Sequence, residues 1–237
     1  IRELEAKAGG EREAMQGRFR LGVIPTIAPY FLPSVLPALK ARFPMLSVEL
    51  RESVTQTLVE ETVAGQLDAI VAALPLHHGA LTVEHLFPDR FFLAVPAADK
   101  NFIAPPVAPE SPELERLMLL EEGHCLRDQA LAICGAVRPK AMASFGATSL
   151  TTLLQMVAHG QGITLIPEMA AASGGMDGIR VVPFASPEPA RTIGMAWRRN
   201  SSRQKDCQSL ARFLADVGGK SAGQEVDGQH PPHHAQR

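Results

Sequence analysis

The sequence predicts an α/β fold of two Rossmann-like subdomains. Three observations carry this. Short apolar runs alternate with amphipathic helical stretches in two successive series. Gly and Pro stand at the joins: Pro25, Pro44, Gly65, Gly160 and Pro167 each close a predicted element. The chain has 237 residues, enough for one large or two small domains.

In the first series, residues 19–24 read as a short buried strand closed by Pro25. Residues 32–43 read as a helix with Leu32, Leu36, Leu39 and Phe43 on one face. Residues 46–50 alternate as a strand. Ser53 with Gln56 forms a capping-box pattern for the next helix, and Thr57 with Glu60 repeats it one turn later. That helix ends near Gly65, and residues 68–73 and 91–95 are strands. The β-α-β-α-β order implies parallel strands with helices on both faces.

The second series opens with a loop at 101–112 that carries Pro105, Pro106, Pro109 and Pro112. Residues 117–120 read as a strand, then a cysteine-containing helix, then a short strand at 142–145. Thr148 or Ser149 caps a helix through Leu150, Leu153, Leu154 and Val157. Residues 162–166, 179–184 and 191–197 are strands, the last returning to the first sheet. Residues 203–217 form a closing amphipathic helix with Leu210, Phe213, Leu214 and Val217 inward. From 218 onward the chain is Gly-, polar- and His-rich, and the expectation is a disordered tail. His230, His233 and His234 there suit a solvated tail better than a metal site. Residues 1–8 read as a charged helical end, and a start at Ile1 rather than Met suggests a piece of a longer chain.

Composition excludes several classes. Net charge is −2 with no dense Lys/Arg stripe, which makes this segment a poor surface for phosphate. Three cysteines are an odd number and argue against a secreted disulfide framework. No Cys-x-x-Cys pair suggests zinc, and no cofactor or metal is expected. No signal peptide and no membrane-length apolar run is present, so the expected location is the cytoplasm, with no membrane partner.

The chemistry concentrates between Leu120 and Cys134. Leu126, Ala130 and Ile133 recur at helical spacing, and Gly123 permits the turn that would start the helix. Cys125 then lies at a helix N-terminus, with Arg127 and a protonatable His124 beside it. Such surroundings lower a thiol pKa from about 8.5 toward ~3.5–7.5. Nine residues at ~1.5 Å rise put the Cys125 and Cys134 Cα atoms roughly 13 Å apart. A disulfide needs about 4.4–6.8 Å. The two cannot bond while the helix stands, so their oxidation would require it to unwind. The plainer alternative is one reactive-looking cysteine and one unrelated buried cysteine.

The run Gly123-His124-Cys125-Leu126-Arg127-Asp128-Gln129-Ala130, followed by Cys134, resembles the redox helix of OxyR-type peroxide sensors. These belong to the LysR-type transcriptional regulators. Gly22-Val23-Ile24-Pro25-Thr26, Pro29-Tyr30-Phe31-Leu32-Pro33, Ala147-Thr148-Ser149-Leu150, Gly162-Ile163-Thr164-Leu165-Ile166-Pro167 and Arg191-Thr192-Ile193-Gly194 resemble LysR-type effector domains more broadly. The resemblance spans about residues 17–213.

It implies a periplasmic-binding-protein-like fold. Subdomain I would be 19–95 plus 191–217 and subdomain II 96–190, joined by crossings near Val95-Pro96 and Glu188–Arg191. Residues 1–18 would end a linker helix from an N-terminal winged helix-turn-helix domain absent from this chain. The resemblance further implies that Cys125 reacts with hydrogen peroxide and that Cys134 resolves it. It puts Thr26, Thr55, His124 and Asp128 in a peroxide pocket, with Arg127, Thr148 and Arg191 in support. Each also has a structural reading: Thr26 as a turn residue after Pro25, Thr55 as a helix starter, Asp128 as a first-turn acid, His124 as a surface residue. The implied partners are a second copy as dimer (tetramer at full length), promoter DNA through the absent domain, RNA polymerase, and a thiol reductant such as glutaredoxin or thioredoxin. Gly135-Ala136-Val137-Arg138-Pro139 departs from the acidic, bulkier loop of some relatives. Cys207 has no partner in the motif and reads as a bystander.

Two other readings stay open at this level. One is a LysR-type regulator that senses a small metabolite between the subdomains. The other is a thiol enzyme with Cys125 and His124 as nucleophile and base, although neighbours on a helix start point apart.

Overall fold

The computed structural model describes residues 15–99, 103–135 and 147–222. Strand β1 (Gly17–Val23) is central to the first sheet. It pairs in parallel with β2 (Leu46–Glu52) on one side and with β3 (Ala69–Ala73) on the other. Helix α1 (Ala28–Arg42) joins β1 to β2, and α2 (Thr55–Val63) joins β2 to β3. This is the expected β-α-β-α-β series, with the parallel pairing that such crossovers require.

The apolar face of α1 differs from the one expected. Phe31, Val35 and Leu39 are buried, four residues apart, while Leu32 and Leu36 sit at its margin. The helix begins earlier than expected, at Ala28. Phe31 fixes its roll by packing against Phe87, with ring centroids 5.2 Å apart. Pro33 and Pro37 fall on the exposed side. There the lost backbone hydrogen bonds face water. Neither capping box forms at α2. Val54 is its N-cap, and Gln56 Nε2 instead donates to Glu60 Oε1 at 3.0 Å.

Strand β4 (Leu81–Pro96) is far longer than the expected 91–95. Leu81–Arg90 pairs antiparallel with β7 (Ala190–Arg198). Phe91–Pro96 pairs antiparallel with β5 (Thr164–Pro167) and β6 (Ile179–Pro183). The strand therefore changes sheets at Arg90–Phe91, ahead of the Val95-Pro96 crossing expected. Glu84, His85 and Pro88 hide its first half in the sequence, because they break the apolar pattern. β3 also pairs antiparallel with β7, so the all-parallel expectation holds only for β1, β2 and β3.

Residues 117–120 make only isolated parallel bridges, Leu117 to Ile163 and Leu120 to Ala147. A 3-10 turn at Pro112–Arg116 feeds directly into them, and the two bridges go to different neighbours, so no continuous ladder forms. Helix α3 (Cys125–Cys134) follows. Helix α4 (Leu150–Ala158) is capped by Ser149, whose hydroxyl accepts from Thr152 N at 3.2 Å. Short helix α5 (Glu168–Ala172) leads from β5, and α6 (Gln204–Ala222) closes the described chain.

The expected tail thus begins too early at 218, because α6 continues to Ala222. Gly218 lets it do so. A Cβ there would lie 2.0 Å from Phe87 Cε1. The expected strand at 142–145, the helical end at 1–8, residues 136–139, and His230, His233 and His234 lie outside the described residues.

Buried residues form two clusters. Phe19, Leu21, Ile70, Val71, Trp197 and Leu210 mark the first. Leu93, Leu114, Leu153, Val157 and Ile166 mark the second. β4 contributes to both, with Leu81 and Phe87 in the first and Phe91, Leu93 and Val95 in the second. Among the described residues, no helix is long and apolar enough to cross a membrane, and no group of three His, Cys, Asp or Glu is placed to hold a metal.

Candidate functional site

Helix α3 begins and ends on cysteines. Gly123 stands at φ +92°, a left-handed conformation that glycine alone adopts freely. This turn makes His124 the N-cap, with extended backbone and no side-chain cap. Cys125 is left at the first helical position, beside unpaired backbone N–H groups. The position of a Gly123 Cβ lies 3.8 Å from Val54, so the turn before α3 faces the turn before α2. Leu126, Ala130 and Cys134 form the buried stripe of α3, with Cys134 in the place expected for Ile133. All three belong to the second core, yet Cys125 packs against the first. The thiol sits where the two cores meet.

Arg191, at the start of β7, is the cation whose charge acts on the Cys125 thiol. Its side chain is 1% exposed. Nη1 donates to Thr26 Oγ1 at 2.9 Å and Nη2 to the Thr26 carbonyl at 3.1 Å. Nε donates to Asp89 Oδ2 at 2.9 Å. The guanidinium also lies 5.8 Å from the Phe91 ring centroid.

Thr26 is buried and accepts from Arg191, and no acceptor for its own hydroxyl proton is seen among the described residues. Thr55 Oγ1 is buried with no hydrogen-bond partner. It approaches the Cys125 thiol closely enough to favour the thiolate, but without the geometry of a hydrogen bond.

The expectation of a lowered thiol pKa is overturned. Burial pushes the Cys125 thiol up. Arg191, Thr55 and the Leu126 N–H pull against that, and Asp128 adds to the rise. Desolvation penalises the thiolate more than these partners stabilise it.

Two more expectations change with it. Arg127 points away, with Nη1 donating to the Leu120 carbonyl at 3.1 Å. His124 is buried, and burial lowers its pKa against an opposing pull from Glu121. It stands as a neutral imidazole rather than a cation. Asp128 is exposed on the first turn, and its charge disfavours the thiolate. Thr148 is exposed, one residue ahead of the cap of α4.

All three cysteines are free thiols. A profile described as the LysR substrate binding domain matches residues 12–219. The chain belongs to that family, in its OxyR branch. The DNA-binding transcriptional dual regulator OxyR of Escherichia coli K12 is 37% identical over 219 residues, which is 90% of this chain and 70% of the relative. The reduced regulatory domain of OxyR2 from Vibrio vulnificus superposes with a TM-score of 0.80 at 34% identity. It covers 89% of this chain and 100% of its own. A hydrogen-peroxide-bound cysteine variant of Corynebacterium glutamicum OxyR superposes with a TM-score of 0.81 at 28% identity. It covers 88% of this chain and 66% of its own. The fold is the periplasmic-binding-protein-like α/β architecture of this family. The family consists of transcriptional regulators, which is not an enzyme class.

This LysR-type domain buries its thiols unevenly. Cys134 is pushed up to about 11 by burial alone. Cys207 is pushed up to about 12 by burial and by the Asp68 and Asp206 carboxylates. Thiols that stay protonated in the folded chain, but ionise at about 8.5 when unfolded, support the fold at low pH. That support fades as pH climbs toward the folded values. The urea midpoint of the reduced domain is therefore expected to fall steadily above about pH 8.5, and Cys207→Ala should flatten the fall. A midpoint constant up to about pH 10 would contradict this.

Asp89 is the site residue that the sequence did not offer. It lies in Pro88-Asp89-Arg90-Phe91, at the edge of the expected strand at 91–95, where no motif marks it. Its partner is 102 residues away.

Proposed function

We propose that this OxyR-type domain senses hydrogen peroxide through Cys125 and controls transcription of antioxidant genes by refolding around α3. The observation that carries this is the placement of Cys125. It occupies the first position of a helix, feels the charge of Arg191, and neighbours a buried Thr55 hydroxyl with no partner.

The Cys125 thiolate attacks one peroxide oxygen. An S–O bond forms, the O–O bond breaks, and the departing hydroxide takes a proton to leave as water. A hydroxyl with an uncommitted proton, Thr26 or Thr55, suits that departing oxygen. The product is a sulfenic acid. Attack by the Cys134 sulfur expels the sulfenic oxygen as water and forms the disulfide. Since the helix holds the two Cα atoms roughly 13 Å apart, bonding requires it to unwind. His124 and Asp128 flank the thiol as pocket walls, and Arg127 and Thr148 support the turns around it.

The rest of the reading follows from the same assignment. Two subdomains surround the two cores, and their boundary on β4 falls at Arg90–Phe91 rather than at Val95, because residues 91–95 pack in the second core. The domain pairs with a second copy and forms a tetramer at full length. A winged helix-turn-helix domain ahead of it reads promoter DNA and engages RNA polymerase, in the cytoplasm. A thiol reductant such as glutaredoxin or thioredoxin resets the switch, so Cys125 reacts once per reset rather than turning over peroxide. Metabolite sensing fits less well. The cleft of about 200 Å³ lined by Tyr30, Phe31, Phe87, Asp89 and Glu168 has its acids already occupied, Asp89 by Arg191 and Glu168 by Arg90.

The test is free-thiol counting, with mass spectrometry of the peptide spanning Cys125 and Cys134, before and after one equivalent of hydrogen peroxide. The expected result is loss of two thiols and an internal bond between them. Two unreacted thiols would overturn the reading.

A further inference from the structure

We propose that Asp89 is the positioning residue of the thiol site: it fixes the Arg191 guanidinium that spans Thr26 and faces Cys125, and it ties that guanidinium to helix α5. This rests on Cys125 being the reacting thiol. Asp89 and Arg191 are direct cross-strand partners in the β4–β7 ladder, one residue from where β4 changes sheets. Both side chains are almost fully buried, at 3% and 1% exposed.

The two carboxylate oxygens have separate tasks. Oδ2 accepts from Arg191 Nε, which leaves both Nη groups for Thr26. A guanidinium is planar, so holding one edge aims the other. Oδ1 accepts from the Met169 N–H at 3.1 Å, at the start of α5. Met169 packs on the first core and Ala170 lies in the second. Asp89 thus registers the guanidinium against both cores.

Neighbouring charges do not replace it. Glu168 is bound to Arg90, and Asp128 acts on the thiol with the opposite sign to Arg191. Asp89 also lines the cleft of about 200 Å³. Without the carboxylate, the Arg191 side chain loses the charged anchor at Nε that sets the plane of its guanidinium, and the aim of its Nη groups at Thr26 is no longer held.

The experiment uses the full chain and four forms: wild type, Asp89→Asn, Arg191→Gln and the double variant. The pH profile of Cys125 is measured twice, by alkylation with iodoacetamide and by oxidation with hydrogen peroxide, each read by mass spectrometry. Asp89→Asn is expected to lower both rates about tenfold at neutral pH and to displace the profile to higher pH. In the Arg191→Gln background, adding Asp89→Asn should change neither.

The proposal fails if the Asp89→Asn profile matches wild type or moves to lower pH. It also fails if Asp89→Asn slows the Arg191→Gln form as much as it slows wild type, which is the mark of a purely structural role. Should Asp89→Asn melt below the assay temperature, Asp89→Glu keeps the charge and displaces the carboxylate. It should give a smaller displacement of the same sign, and an unmoved profile overturns the proposal. If wild-type Cys125 alkylates but ignores peroxide, the sensor reading fails, and the alkylation profiles still decide the role of Asp89.

Discussion

Cys125→Ser is expected to remove the peroxide response entirely. Serine keeps the shape of the site but cannot be oxidised to a sulfenic acid, and its hydroxyl stays protonated at any pH the fold survives. The exchange should leave the fold intact. Cys125 is only partly buried, and the nearby Thr55 Oγ1 has no partner, so a new hydroxyl at 125 can bond to it. A net stability change of at most about 1 kcal/mol follows from exchanging a thiol for a bonded hydroxyl.

The check has two parts. Peroxide should leave the 125–134 peptide at its reduced mass, and a reporter driven by the full-length regulator should stay at its unstressed level. Cys134→Ser provides the contrast. It should still be oxidised at Cys125, and the sulfenic acid should be trapped there by a dimedone-type probe. A Cys125→Ser protein that still responds would end the assignment.

The second large effect concerns Arg191. Arg191→Gln leaves Asp89 as a buried carboxylate without its cation, and breaking a buried pair from one side costs about 3–5 kcal/mol. The size should depend on pH. Burial already raises the Asp89 pKa, opposed by Arg191 and the Met169 N–H. Losing Arg191 raises it further, so the folded variant holds the Asp89 proton to higher pH than the unfolded chain does. Stability is then retained at acid pH and lost as pH rises through the folded value. Urea midpoints at about pH 5 and pH 8 should separate widely for the variant and much less for wild type.

The thiol should respond as well. Arg191 is the largest influence opposing the burial-driven rise at Cys125, so its loss leaves less thiolate and slower oxidation at neutral pH. Replacing both partners, Asp89→Leu with Arg191→Met, separates the two consequences. An apolar pair of similar volume often restores stability, but it cannot restore the charge. A double variant that regains both stability and peroxide rate would show that Arg191 serves the fold alone.

Much of this site was legible in the chain itself. Gly123, Cys125 and Cys134 lie within one helical stretch, and their spacing alone sets the conflict between helix and disulfide. Thr26 and Thr55 follow strands that the alternating pattern marks out. The balance of burial and charge at Cys125 was not legible. A helix start and nearby basic residues suggested a lowered pKa, but Arg127 turns toward the Leu120 carbonyl and His124 is buried, so neither charges the thiol.

The alternation of strands and helices in the first half, the helix that opens on Cys125, and the pair of thiols it separates are written in the local pattern of residues. These follow from local periodicity and from the conformational freedom of one glycine, which act over a few residues. Three features arise only in the folded molecule. β4 runs through both sheets, Arg191 rather than Arg127 faces the thiol, and burial outweighs positive charge there. Each depends on residues far apart in sequence meeting in a medium without water. Asp89 and Arg191 carry no mutual signal until β4 and β7 pair, and desolvation has no local pattern at all.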